Sequence, residues 1–395
     1  MPNRHGWTAL IGAAASVVTG RLFGLIELYV IGAGMAATVC VSWAWVRRPL
    51  PRLEVRRRCR PAVVTAGHPA RVELQVINQG RRPSPRLFLW EPVGARGGAP
   101  MQVGRLGAAE TAAAAYRIPT QRRGVVTLGP LWVERRDPFG VATRATTVGG
   151  ALDVLVLPTL LDIGAPSAGG SGTLGEHLRV KAMGQTGGEF HGLRSYQQGD
   201  DLRRINWKAS ARSTGLIVTE HEPDGLRRCT VVLDTSGFGA GVVAPGEIDE
   251  AFERAVSIAA SVVHAASTAR LHTRFRTHGA AIEGVDVEQA TLRHLARVHP
   301  SDDGTLAPST GASHDHLGLV VVVAAAPDRP AERAARADTG PTDTVITITT
   351  LVPPREGAFA IDGTTLDAFM AGWSSLVESR SARARPEVAW STEAR

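Results

Sequence analysis

The sequence predicts a multidomain chain of mixed class: an N-terminal transmembrane helical hairpin, a small β-sandwich, then a doubly wound α/β domain. Three observations predict it. Two apolar runs stand at the N-terminus and end on a cluster of arginines. Short stretches of period-two alternation, separated by glycine and proline, come next. From about residue 227, strands alternate with amphipathic helices.

The apolar runs are 7–20 and 22–46, with Arg21 between them and Glu27 the one charge in the second. A spanning helix needs roughly 20 apolar residues. The second run meets this alone; the first meets it by extending to Phe23 with Arg21 reaching the interface. Two spans with a tight outer turn near Arg21–Glu27 are expected, with Trp43 and Trp45 at the interface. A signal peptide is the rival reading. Against it, Arg47 and Arg48 follow directly, and Arg52, Arg56, Arg57, Arg58 and Arg60 come soon after. Such a cluster marks the cytoplasmic side, and Arg4 agrees. The expected localisation is therefore the cell membrane, two spans, soluble domains cytoplasmic.

Composition fits this plan. Of 395 residues 44% are hydrophobic and 21% charged, so folded domains rather than disorder are expected. The net charge is +7, carried almost wholly by arginine; lysine stands only at Lys181 and Lys208. With so much of it beside the apolar runs, the first partner expected is membrane lipid. Cys40, Cys59 and Cys229 do not make a disulfide framework.

The soluble part divides as 49–160, β-rich and sandwich-like; 161–226, a linker and charged segment; 227–380, α/β; and 381–395, a polar tail, after a hairpin over 1–48. Strands are read at 70–78, 85–93, 111–119, 124–136 and 151–158, with a turn at Asp137-Pro138-Phe139-Gly140. Residues 164–175 are Gly/Ser-rich and read as flexible linker. Beyond 227, strands are read at 228–236, 271–277, 317–327 and 344–352, and helices at 247–268, 287–298 and 363–379. In the first helix Ile248, Phe252, Ala255, Ala259, Val262 and Ala266 recur every three or four residues. The near-continuous apolar run 317–327 suits a central parallel strand. Residues 329–342 read as a charged helix or loop.

In such a domain the ligand site lies beyond the carboxyl ends of the strands. There stands Asp234-Thr235-Ser236-Gly237-Phe238. It resembles the Asp-x-Ser-x-Ser metal-dependent adhesion motif of von Willebrand A domains, with Phe238 in place of the second serine. The resemblance implies a von Willebrand A-like (Rossmann-like) domain and a site for Mg²⁺ or another divalent cation on Asp234, Ser236 and Asp328, the last following the central strand. The alternative is that Asp234 and Ser236 cap the loop into the next helix. His314-Asp315-His316 is read as a solvated loop, and Cys229, in a strand, as unreactive.

Residues 187–224 are dense in charge and carry Glu189, Arg194, Tyr196, Gly199, Asp200, Arg204, Trp207, Lys208, Ser210 and Arg212. The order Glu, Leu-Arg-x-Tyr, Gly-Asp, Arg-x-Ile-x-Trp and Ser-Ala-Arg resembles the bacterial family called domain of unknown function 58. The 137–140 turn and the N-terminal hairpin resemble that family too. The resemblance implies work alongside MoxR-type AAA+ ATPases in assembling or activating envelope or metal-dependent complexes. From the residues alone the segment has two readings. Arg194, Arg204 and Arg212 pair with Glu189, Asp200, Asp201 and Glu220 in a structural network, or the same groups form a surface for a partner. Lys208 is the leading functional residue, because arginine is the default base of this chain.

Three function classes follow. The first expectation is a non-enzymatic adaptor binding protein partners, with no nucleic acid and no small-molecule substrate. An enzyme using the 187–224 segment is the alternative; the chain has no P-loop, dinucleotide fingerprint or HExxH. Nucleic-acid binding through Arg203, Arg204, Lys208 and Arg212 is the third, opposed by the interleaved acids.

Overall fold

The structure, a computed structural model, describes residues 2–95, 97–167, 172–183, 189–197, 202, 205–222, 226–239, 245–308, 317–357 and 359–377. The chain divides into two units, Met1–Leu157 and Pro158–Arg395.

In the first unit α1 (Arg4–Phe23) and α2 (Ile26–Arg47) fold back on one another. Gly24, at φ 70°, ends α1 in the left-handed conformation that glycine tolerates. Both helices are long and apolar enough to cross a membrane. Their seam is built of small residues. On α1, Ala13 and Gly20 are buried toward α2, while Gly6 is buried against Pro2 and the Val141 carbonyl; on α2, Gly32, Val39, Ser42 and Val46 are buried. A Cβ on Gly32 would stand 2.9 Å from the Ala13 carbonyl oxygen, so the backbones touch there. The outward faces expose Ile11, Val18, Leu22, Phe23, Ile26 and Val30. Apolar exterior with small-residue interior is the arrangement that helix packing in lipid favours.

Ten strands follow: β1 (Leu53–Arg60), β2 (Val64–Thr65), β3 (Ala70–Asn78), β4 (Leu87–Val93), β5 (Gly97–Val103), β6 (Thr111–Ile118), β7 (Gly124–Leu128), β8 (Leu131–Arg136), β9 (Thr143–Val148) and β10 (Leu152–Leu157). One sheet has the order β1-β3-β6; the other runs β2-β10-β7-β4-β8-β9, with β5 paired to β4. Alternation does what it predicts in β3: Val72, Leu74 and Val76 are buried, Arg71 and Gln75 exposed. Val72 packs with Val93, Leu128 and Val156, and Leu74 with Leu87, Leu89 and Leu131, so each core cluster draws on both sheets. Strands β1, β5 and β9 carry weaker alternation and were not among the strands expected from the sequence; pairing along β3, β4 and β8 recruits them.

The 137–140 turn has a larger part than a turn signal suggests. Buried Asp137 accepts from the amides of Ala142 (2.7 Å) and Phe139 (2.9 Å). The shaped loop receives the start of α1: Asn3 N donates to Val141 O (3.0 Å) and Asn3 Nδ2 to Gly140 O (2.7 Å), while Asn3 Oδ1 caps α1 by accepting from Gly6 N. The end of α2 is met by Arg144, which donates to Arg47 O (3.0 Å), and by Arg135, which donates to Arg48 O (2.7 Å). Both ends of the hairpin thus rest on the stretch 135–144.

The second unit contains α3 (Thr173–Met183), β11 (Glu189–Ser195), α4 (Trp207–Ser210), β12 (Ile217–Glu222), β13 (Arg228–Leu233), α5 (Pro245–Thr268), β14 (His272–Thr277), β15 (Ala280–Glu283), α6 (Val287–Leu295), β16 (Gly318–Ala324), α7 (Pro330–Ala337), β17 (Asp343–Thr349), β18 (Ala360–Asp362) and α8 (Leu366–Val377). The main sheet has the order β15-β14-β13-β16-β17-β18, parallel throughout except for edge strand β15. All seven residues of β16 are buried, as its apolar run predicts. The six periodic residues named in α5 are buried as well.

The linker expectation over 164–175 is corrected at both described ends. Gly164 O accepts from the buried Trp373 indole (2.8 Å) on α8. At the other end α3 begins at Thr173, with Leu174 and Leu178 fully buried. Lys181 donates to Asp343 O (2.7 Å), and burial lowers its pKa. One turn-spaced leucine pair after a glycine run is too small a periodic signal to read as a helix, yet it suffices once α8 supplies a facing surface.

Candidate functional site

Two places in the second unit gather the residues singled out by the sequence. The first is the carboxyl end of the parallel sheet. The chain leaves β13 to one side through α5 and β14, and β16 enters on its other side, so a crevice opens beyond Leu233 and Ala324. Asp234 continues β13, its amide donating to Val323 O (2.9 Å). Its carboxylate is buried, and Oδ1 accepts from both Ser236 N (2.8 Å) and Ser236 Oγ (2.6 Å). The Ser236 hydroxyl in turn accepts from Arg329 Nη2 at 2.9 Å. Arg329 Nε lies 3.8 Å from Asp234 Oδ2. Burial raises the Asp234 pKa, and the Ser236 bonds and the Arg329 charge oppose that rise.

Gly237 makes this approach possible. It sits at φ 81°, and a Cβ there would meet the Arg329 guanidinium carbon at 2.8 Å. Phe238, at the position of the motif's second serine, is buried edge-on against Phe252 with ring centroids 5.0 Å apart. The segment after α6 crosses above: Ser301 N donates to Thr235 O (2.9 Å), and Ala307 N to Thr277 O (3.1 Å).

This geometry corrects the expected metal set. Asp234 and Ser236 meet, but the Asp328 carboxylate turns away to Arg355 (2.6 Å) on the exposed surface, its backbone at φ 58°. The next residue, Arg329, enters instead. A guanidinium occupies the cation's side of Asp234, the second hydroxyl is a phenyl ring, and the second carboxylate, Asp328, is elsewhere. These residues do not fit a divalent cation. Among the described residues no cluster of three or more His, Cys, Asp or Glu side chains is suited to hold a metal. What the arrangement offers is a cationic group, about a third exposed, at the mouth of a neutralised, hydrogen-bonded floor.

The second place is the charged segment. Strands β11 and β12 pair antiparallel, with Leu193 opposite Thr219 and Arg194 opposite Val218. They carry α4 between them. Asn206 Oδ1 caps α4 by accepting from Ala209 N (3.0 Å), and the Ser210 hydroxyl accepts from Ile217 N (2.8 Å), tying the turn to β12. Ile205 and Val218 are buried beneath. On the outside, Trp207 is 68% exposed, with Leu193 and Leu202 also exposed. Lys208 and Arg212 are exposed too, and neither side chain pairs with a carboxylate among the described residues. Arg194 is half-buried and donates to Ser195 O (3.3 Å). Tyr196 is half-buried, its amide donating to Leu216 O (2.8 Å). Glu189 opens β11, its side chain outside the described residues, as are Gly199, Asp200, Arg203, Arg204 and the 314–316 cluster. The carboxylates of the network expected for Arg194, Arg204 and Arg212, those of Glu189, Asp200, Asp201 and Glu220, lie outside the described residues. The two lysines divide: Lys181 braces the core, Lys208 faces solvent. Cys229 is fully buried and its thiol is pushed up to about 12, matching the expectation that it is unreactive.

Comparison with known proteins bears on this second place. A family model described as Protein of unknown function DUF58 matches residues 192–394, just over half of the chain. The uncharacterized protein YeaD of Bacillus subtilis (strain 168) is 32% identical over 72 residues, 18% of this chain and 15% of that protein's length. Among solved structures, the CARDB domain of a Pyrococcus furiosus protein covers 27% of this chain and 90% of its own, at 19% identity and a TM-score of 0.22. The alkylpurine DNA glycosylase AlkC of Pseudomonas fluorescens covers 27% and 36%, at 14% identity and a TM-score of 0.17.

Proposed function

The chain belongs to the DUF58 family, and from that premise we propose that it is a membrane-anchored, non-enzymatic adaptor whose β11–α4–β12 arm binds a protein partner, a MoxR-type AAA+ ATPase. The observation that carries the reading is Trp207 beside Lys208: a large aromatic ring 68% exposed next to an exposed ammonium, on a helical turn braced from both sides. A largely solvated indole is costly to keep exposed and is the residue type that anchors protein interfaces. The sole hydroxyl on that turn, Ser210, is committed to backbone, which argues for recognition rather than nucleophilic chemistry.

The parallel sheet supports a von Willebrand A-like domain. Numbering its strands along the chain gives the order 3-2-1-4-5-6 with strand 3 antiparallel, and the Asp-x-Ser motif ends strand 1. In this chain the crevice works without a metal, Arg329 supplying the positive charge that meets a partner's acidic group. The two apolar helices hold the protein in the cell membrane, with both soluble units in the cytoplasm, as the arginines after Val46 indicate.

A photocrosslinking residue placed at position 208 of the full chain, in native membranes, is expected to capture a MoxR-type ATPase. Trp207→Ala is expected to abolish the crosslink while changing stability by no more than about 0.5 kcal/mol. Capture that is indifferent to Trp207 removes the arm from the adaptor reading.

A further inference from the structure

Five arginines crowd the junction between α2 and the β strands, and none pairs with a carboxylate among the described residues. Arg48 caps α2, Arg81 and Arg82 lie on the loop after β3, Arg105 follows β5 and Arg135 stands on β8. Together with Trp45 and the prolines on either side, they line an open cleft of about 850 Å³. The contrast with the neighbouring strand is sharp. On β1, Arg56 pairs with Glu54 (2.6 Å), Arg57 with Glu91 (2.7 Å) and Arg60 with Glu73 (3.0 Å). Positive charge is neutralised on the strand and left uncompensated in the cleft.

Arg135 makes the imbalance acute. It is only 6% exposed, its Nη1 donates to Arg48 O, and its Nε has no partner. Burial, then the nearby charges of Arg144 and Arg48, lower its pKa. A guanidinium does not shed its proton in proteins, so this group remains a buried cation facing like charges. No carboxylate among the described residues meets it, which leaves room for an anion from outside the chain. The position says which anion is at hand. Trp45, 39% exposed, sits at the end of a 22-residue apolar helix, with the Arg48 guanidinium 4.8 Å from its ring. Tryptophan at such an end lies at headgroup depth in a bilayer, where the abundant anions are lipid phosphates. Guanidinium forks match phosphate oxygens in pairs.

We propose that this cleft is a binding site for the phosphate of an anionic phospholipid headgroup, held by Arg48, Arg81, Arg82, Arg105 and Arg135. The site rests on the membrane reading above and gives it a specific lipid contact, distinct from diffuse attraction between basic residues and an acidic surface.

The test uses the full chain in uncharged detergent, titrated with phosphatidylglycerol or phosphatidylcholine and read by native mass spectrometry. Phosphatidylglycerol is expected to remain bound and phosphatidylcholine to be lost. Replacing the exposed set, Arg81→Ser with Arg82→Ser and Arg105→Ser, is expected to weaken phosphatidylglycerol binding on the order of a hundredfold. The control Arg56→Ser with Arg58→Ser and Arg60→Ser removes the same charge from β1 and is expected to change binding by no more than about twofold. Equal weakening by both triple variants overturns the site in favour of a diffuse basic surface. Displacement of the lipid by inorganic phosphate or glycerol phosphate at millimolar levels overturns the lipid as the ligand. A chain that sits in bilayers but shows no preference between the two lipids sinks the site and spares the anchor. A chain that stays soluble without detergent and ignores vesicles sinks the anchor as well.

Discussion

Arg329 and Asp234 show how one side chain changes the chemistry of a crevice. The carboxylate is buried, its Oδ1 saturated by Ser236, and the guanidinium reaches Ser236 while standing 3.8 Å from Oδ2. Arg329→Ala removes the neighbouring cation from a buried carboxylate. It is expected to destabilise the protein by about 1–3 kcal/mol, less than for a fully buried pair because Arg329 is a third exposed, measurable by urea unfolding. The titration of Asp234 gives a second check. Its folded pKa is raised, so as pH climbs through the ordinary aspartate value near ~4 the unfolded chain ionises first, and the folded state loses ground until Asp234 itself ionises. Asp234→Asn is expected to remove that part of the fall; identical slopes for both proteins over the window would falsify the assignment. Sequence reading found Asp234, Ser236 and Phe238 because they are consecutive in a motif. It could not find Arg329, 93 residues from Ser236, because nothing local distinguishes it from the other arginines of an arginine-rich chain. It chose Asp328 instead, one position away, whose carboxylate pairs with Arg355.

At the scale of elements, the turn after β8 and the arm around α4 are short pieces that position much larger ones. Asp137 accepts two backbone N–H groups and so shapes the loop on which Asn3 docks. Burial alone raises its pKa, but the amides of Ala142, Phe139 and Val141 and the Ser42 side chain together outweigh it and the net shift is downward. The sign is therefore opposite to that of Asp234: the stabilisation is complete above the ordinary aspartate range and is lost as pH falls through the lowered folded value. Asp137→Asn is expected to cost about 1–3 kcal/mol at neutral pH and to flatten the acid limb of unfolding in detergent, a loss that should vanish at low pH. The arm behaves differently, since its prominent residue, Trp207, is 68% exposed. Its removal should leave the melting temperature in place while the partner crosslink disappears. Elements with strong periodicity were legible: β3 falls on the residues expected, and α5 buries the six positions named. Elements recruited by their neighbours were not. Strands β1, β5, β9, β15 and β18 exist because a partner edge is present to pair with, and α3 because α8 offers a surface to two leucines.

For the whole molecule, the two units are each compact, and fragments divided between Leu157 and Pro158 are expected to show separate cooperative unfolding transitions. The apolar helices set the next test. The full chain should resist alkaline extraction from membranes, and protease added to intact cells should leave both units uncut while the same protease digests them in inverted vesicles. Digestion in intact cells would reverse the orientation drawn from the arginine cluster. The sequence by itself determined what is local: where apolar length suffices to span a bilayer, which faces of strands and helices turn inward, which residues form the family's conserved-looking charged run. Those properties depend on neighbours within a few positions and on the partition of each side chain between water and an apolar medium. Only the tertiary structure decided which distant groups meet. It put a guanidinium where a cation was expected, left Trp207 and Lys208 exposed, set both ends of the hairpin on the stretch 135–144, and collected beside Trp45 five arginines that meet no carboxylate among the described residues. Such meetings are fixed by sheet order and register, which bring together residues a hundred positions apart, and no local pattern encodes them.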